Sequence, residues 1–148
     1  MKKALFTLII ISIIAIGLTA CQPAPEGPLI EVSGAWGRPS PMAAGNGASY
    51  MLIENKGSEA DRLINVTSNV SDAVELHDMT MEDGVMKMFH VEEGYEIPAG
   101  GSVELKPGGK HVMFIGLHDQ LVDGQVITID LEFEKSGKIT VEAKIREE

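Results

Sequence analysis

Cysteine is almost missing from this chain: one residue in 148, at position 21. A single cysteine excludes an intrachain disulfide framework and any cluster of thiolates around a metal. Aromatic residues are also scarce, 5% with one tryptophan, so core volume has to come from Val, Ile, Leu and Met. Positive charge is short too: 12 Lys and Arg stand against 22 Asp and Glu, for a net −10. Such a balance argues against a nucleic-acid partner, which requires a basic face. No Ser/His/Asp order, paired-carboxylate spacing or phosphate-binding loop is present, so nothing in the sequence points to an enzyme. No stretch after position 21 carries a helical period. At this length the chain makes one ordinary domain rather than two.

The N-terminal segment reads as an address. Lys2 and Lys3 precede a nearly unbroken apolar run from Ala4 to Gly17, followed by Leu18-Thr19-Ala20-Cys21. The run is short for a permanent membrane span and has the layout of an export signal. Leu-Thr-Ala-Cys resembles the lipobox of bacterial lipoproteins, in which the cysteine is acylated and becomes the mature N-terminus. Residues 1–20 are therefore expected to be a signal peptide, and residues 21–29 an acylated Cys21 with a short proline-rich tether. The protein is expected outside the cytoplasm, in the periplasm or at the cell surface, held to a membrane by its lipid. Gln22, rather than Asp, after the cysteine leaves outer-membrane sorting open. Without Lys2 and Lys3 the side-chain charge becomes 10 − 22 = −12.

Residues 30–146 read as one β domain. Ile30, Val32 and Ala35-Trp36 suggest a first strand, broken at Gly37–Pro41, with Ala43 to Gly47 continuing as loop. Ala48 to Glu54, Leu63 to Thr67 and Ala73 to Leu76 are further short apolar runs. Ile127, Ile129, Leu131 and Phe133 alternate with Thr128, Asp130 and Glu132, and Ile139, Val141, Ala143 and Ile145 repeat the pattern. Strict alternation marks strands with one buried and one wet face. Many short strands punctuated by 16 glycines and seven prolines predict an all-β, antiparallel sandwich or barrel.

Histidine and methionine are unevenly spread. His77, His90 and His111, three of the four histidines, fall between positions 77 and 113 with Met79, Met81, Met86, Met88 and Met113. On a strand, residues i and i+2 share a face. His77 and Met79 lie opposite Val74 and Leu76; Met86, Met88 and His90 lie opposite Val85, Phe89 and Val91; His111 and Met113 lie opposite Val112 and Phe114. Three segments thus turn imidazole or thioether away from their best core-facing residues. Methionine is ordinarily a core filler, but two His/Met pairs at i,i+2 with a Met-x-Met between them are not explained by filling. Imidazole with thioether suits copper, above all soft Cu(I). Structural zinc sites prefer thiolate or imidazole, and calcium and magnesium take oxygen. Oxygen is offered here only by Asp78, Glu82 and Asp83, which read as solvated turn residues around Gly84. Because binding needs neutral imidazoles, affinity is expected to fall below about pH 6.

The spacing His77-x10-Met88-x22-His111-x-Met113, with GVMKM before the second position and EIPAGGSVELKPGGKHVM leading into the last two, resembles the periplasmic copper chaperones of the PCuAC family. AAGNGASYMLIENKG resembles the family's early segment, and the likeness runs from about Ile30 to Arg146. The resemblance implies a cupredoxin-like Greek-key β-sandwich and copper ligands at His77, Met88, His111 and Met113. Met79 and Met86 are auxiliary candidates; His90 is a further one, although family members often carry a non-ligand there. His118 reads as an ordinary loop residue. A blue-copper electron carrier needs a cysteine ligand, and Cys21 is committed to lipid. A copper oxygenase using an N-terminal histidine is excluded if the mature chain begins at that cysteine. What remains is a Cu(I) carrier. The resemblance implies delivery to the CuA-bearing subunit of cytochrome c oxidase, with a Sco-type thiol protein as a further partner. The alternatives are a lipoprotein that buffers copper and a metal-free structural lipoprotein.

Overall fold

The computed structural model describes residues 26–41 and 45–148. The expected signal segment and Cys21 lie outside these residues, as do most of the tether and Ala43-Ala44 of the expected loop. Ten strands and no helix make up the described chain. In order they are β1 (Ile30–Gly37), β2 (Asn46–Asn55), β3 (Asp61–Ser68), β4 (Ser71–Glu82) and β5 (Val85–His90). Then follow β6 (Tyr95–Ile97), β7 (Ser102–Leu105), β8 (His111–Leu117), β9 (Val126–Phe133) and β10 (Gly137–Ile145).

They pair in the order β5-β4-β8-β2-β1-β10-β9-β3-β6, with β7 also on β2. Every pairing is antiparallel except β1 with β10, where Trp36 and Gly37 lie beside Lys144 and Ile145. The β1–β2 register shifts between Ser33 and Trp36, and Gly34 there sits at φ +61°. A bulge with a left-handed glycine bends its strand. Beyond the bend β1 keeps β2 on one edge, at Trp36–Tyr50 and Gly37–Ser49, and takes β10 on the other, which joins the two halves of a sandwich.

The core between the halves is aliphatic, as the composition requires. Met51, Ile53, Leu76, Val112 and Phe114 face Leu63, Val66, Ile129, Leu131, Phe133 and Ile145 in one buried cluster. Each such side chain contributes about 1.5–3 kcal/mol on burial. On β9 the alternation holds residue by residue: Ile127, Ile129, Leu131 and Phe133 are buried, Thr128 and Glu132 exposed. Every strand pairing and every core residue falls within residues 30–145, and Gly27 and Leu29 accept backbone hydrogen bonds from Ser58 and Lys56, so residues 26–148 contain every described contact of the fold.

Two expectations change. Val85 and Phe89, read as the core face of their strand, are 59% and 47% exposed, and only Val91 packs against the core. β5 ends the strand order on one side, and among the described residues no second layer covers it. The loop before β2 ends sooner than its small residues suggest, because Asn46 and Gly47 pair with Ile115 and Phe114 of β8. The turn-rich interval between His90 and His111 also holds β6 and β7. Strands of three and four residues carry too little alternation to be read against five glycines.

Candidate metal centre

Strand register brings the histidines together. His77 on β4 stands opposite His90 on β5 and opposite His111 on β8, so three imidazoles form a row across neighbouring strands. The His77 ring is stacked on His90 at 5.6 Å between centroids and lies 5.8 Å from His111. One step along the same face, Glu75 pairs with Met113; one step the other way, Met79 pairs with Met88. Met81 and Met86 form the next rung. Alternation therefore sends every sulfur and imidazole of the cluster to one face, while Leu76, Val112 and Phe114 go to the core.

Met88, His111 and Met113 line one cleft of about 210 Å³, with Arg38, Ser40, Ala48 and Tyr50 on its other walls. Met88 comes from the edge strand, yet its unbranched side chain reaches this cleft; Met79 and Met86 share its face but are not on the cleft wall. The Tyr50 ring lies between Trp36, at 4.7 Å, and His111, at 6.5 Å, tilted to both. Burial holds the Tyr50 phenol above its ordinary pKa against the opposing charge of Arg38, with Glu148 adding to the rise, so it stays neutral beside the cleft. The Arg146 guanidinium covers the far face of Trp36 at 4.4 Å. The cleft is backed by aromatic rings and kept free of carboxylate.

His111 and His77 each have one ring nitrogen fixed by a neighbour. His111 Nδ1 lies 2.8 Å from the Gly109 carbonyl. A carbonyl only accepts, so Nδ1 carries the proton and Nε2 of the neutral ring keeps its lone pair. His77 Nε2 lies 2.8 Å from Glu75 Oε2, which places that proton on Nε2. His77 Nδ1 is buried and has no hydrogen-bond partner. An orphaned buried nitrogen is costly unless something binds it. The Tyr95 hydroxyl, under the sheet, reaches the backbone carbonyls of His77 at 2.5 Å and His111 at 3.2 Å and ties β4 to β8 at the two ring-bearing residues.

Oxygen donors are turned elsewhere. Asp78, expected in a turn, lies within β4 on the opposite face, half-buried and paired with Lys110 at 2.5 Å. Glu82 ends β4 and pairs with Lys87. Only Asp83 and Gly84, at φ 51° and 79°, form the turn itself, a two-residue hairpin of the Asp-Gly kind. Asp78 escaped the sequence reading because β4 runs to 12 residues, longer than its apolar run. Among the described residues no three His, Cys, Asp or Glu side chains converge on a metal position, so a metal held here has to take thioether as well. His118 follows β8 and pairs with the exposed Asp72. Glu75 was missed, although its i,i+2 relation to His77 was legible; Tyr95 and the Gly109 carbonyl left no such signal.

Residues 30–145 match a family profile, "Putative lipoprotein LpqE-like". The chain belongs to the LpqE-like family. A relative in Leifsonia xyli subsp. xyli, "Putative lipoprotein Lxx21020", is 30% identical across 93% of the LpqE-like chain and 87% of its own length. Among solved structures, the copper-bound PCuAC domain from PmoF2 superposes with a TM-score of 0.68 at 24% identity, over 86% of this chain and 97% of that one. The Cu(I) form of DR1885 from Deinococcus radiodurans does so with a TM-score of 0.61 at 26% identity, over 89% and 85%. The LpqE-like domain thus has the cupredoxin-like fold of PCuAC domains, as its sequence implied.

Proposed function

We propose that this protein is a non-enzymatic Cu(I) carrier, lipid-anchored through Cys21 outside the cytoplasm, with copper as its cargo. His77 through Nδ1, His111 through Nε2, Met88 and Met113 would hold the ion. One observation carries the reading: two imidazoles of fixed tautomer, one with an orphaned buried nitrogen, share a face with two thioethers, and three of the four side chains line a single cleft. The donor set fits. Two neutral nitrogens and two thioethers satisfy a soft monovalent ion and leave harder cations poorly served. The DR1885 structure supports the reading, since a relative of this fold at 26% identity is a Cu(I) complex.

Neutral, partly exposed ligands exchange readily, and Met88 is 47% exposed at the cleft edge. Delivery by ligand exchange to a thiolate-rich acceptor follows from that lability, and the CuA-bearing subunit of cytochrome c oxidase, with a Sco-type thiol protein alongside, is the acceptor class we propose. The test uses residues 26–148 titrated with Cu(I) against a competing chelator. Tight binding that is lost in His111→Ala with Met113→Ala supports the site. Transfer to an apo CuA domain supports delivery, whereas retention makes the protein a copper buffer. A domain that binds no Cu(I) is a structural lipoprotein, and the proposal fails.

A further inference from the structure

The outer part of the β4–β5 hairpin carries two successive rungs made only of methionine, Met79 opposite Met88 and Met81 opposite Met86. β8 pairs with β4 as far as His77, so beyond that residue the hairpin is a two-stranded ribbon among the described residues. None of these four methionines belongs to the buried core or packs against it. Met81, Met86 and Met88 are 61%, 44% and 47% exposed. Core filling, the ordinary role of methionine, therefore does not account for them. The ribbon also sorts its donors: the alternate positions Asp78, Thr80, Glu82 and Lys87 take the opposite face, and both of those carboxylates are held by lysines. Beyond the His77–His90 rung, the methionine face of the ribbon offers thioether alone.

Side chains directly opposite on adjacent strands have Cβ atoms about 4.5–5.5 Å apart, and diagonal neighbours about 7–8 Å. Methionine is unbranched with three rotatable bonds, so sulfurs from both rungs can close on one ion. Met88 belongs to the inner rung and also to the wall of the His111–Met113 cleft. We propose that Met79, Met81 and Met86, with Met88 at the junction, form a second, thioether-only site for a soft monovalent cation, Cu(I) or Ag(I), which passes the ion through Met88 to His111 and Met113. Passage needs no electron and no co-reactant: one metal–thioether bond breaks as the next metal–ligand bond forms. The passing step rests on the copper-carrier reading, and the binding step does not.

The test uses residues 26–148 carrying methyl-labelled methionine, titrated with Ag(I) as a redox-inert probe and with Cu(I) against a chelator. Two equivalents are expected, one shifting the Met113 methyl and one shifting those of Met79, Met81 and Met86. The triple variant Met79→Leu, Met81→Leu, Met86→Leu keeps side-chain volume nearly constant on an exposed ribbon; it should lose the second equivalent and keep the first. His111→Ala with Met113→Ala should do the reverse. Saturation at one equivalent that leaves the three ribbon methyls unmoved overturns the second site and leaves the carrier reading standing. A second equivalent that survives in the triple variant also overturns it. Binding of neither ion overturns both.

Discussion

Glu75 is the residue whose replacement most directly tests how the histidine is set. Its carboxylate lies 2.8 Å from His77 Nε2, and the two side chains are 33% and 12% exposed. The contact fixes the proton on Nε2 and leaves the buried Nδ1 as the free donor. Glu75→Leu removes that partner at nearly constant volume and lets the ring turn or exchange tautomer. Loss of such an outer partner of a metal-bound histidine typically costs about 10–100-fold in metal affinity, or about 1.4–2.8 kcal/mol. Because Glu75 is a third exposed and water can replace part of the contact, the lower half of that range is expected. Glu75→Gln keeps an acceptor for the Nε2 proton and should lose less. Competition with a Cu(I) chelator reads the affinity, and thermal unfolding of the apo domain checks that the fold survives. A folded Glu75→Leu protein with wild-type Cu(I) affinity would refute the assignment of His77 Nδ1 as a donor.

Two further predictions concern the scaffold. Tyr95→Phe leaves the carbonyls of His77 and His111 without the hydroxyl that joins them, and should cost about 1–3 kcal/mol in denaturant unfolding; unchanged stability would show that the tie contributes nothing. Asp61 is buried, and burial by itself opposes its charged form. Hydrogen bonds from Ser136, Lys135 and Arg62 more than offset this and hold its pKa below the ordinary carboxylate value. A depressed folded pKa stabilises above the unfolded value, about 3.9, and that stability is lost as pH falls through the folded one. Asp61→Asn should therefore be less stable by about 1.5–3 kcal/mol at neutral pH, and the gap should close below about pH 4. A gap that persists unchanged at pH 3 would sink the argument.

Much of this molecule was readable from residue order because strands alternate with a period of two. Ile127 to Phe133 and Ile139 to Ile145 fixed two strands and their buried faces, and the same parity rule placed His77, Met88, His111 and Met113 away from the core. Parity within a strand, however, says nothing of what lies across from it. Val85 and Phe89 have the pattern of a core face but belong to an edge strand with nothing over them, since burial depends on a second layer and not on alternation. The same limit applied to the candidate ligands. By itself the sequence determined the kinds of donor, their shared face and the near-absence of thiol, with one cysteine in the chain. Only the tertiary structure decided that His77 stands between His90 and His111, that Met88 rather than Met79 or Met86 reaches the cleft, and that Glu75 and Gly109 choose the tautomers. The His77–His111 pairing and the cleft join segments far apart in the chain and are set by register and twist; Glu75 and Gly109 stand only two residues from the rings they hold, but the folded geometry alone turns their oxygens onto one nitrogen of each.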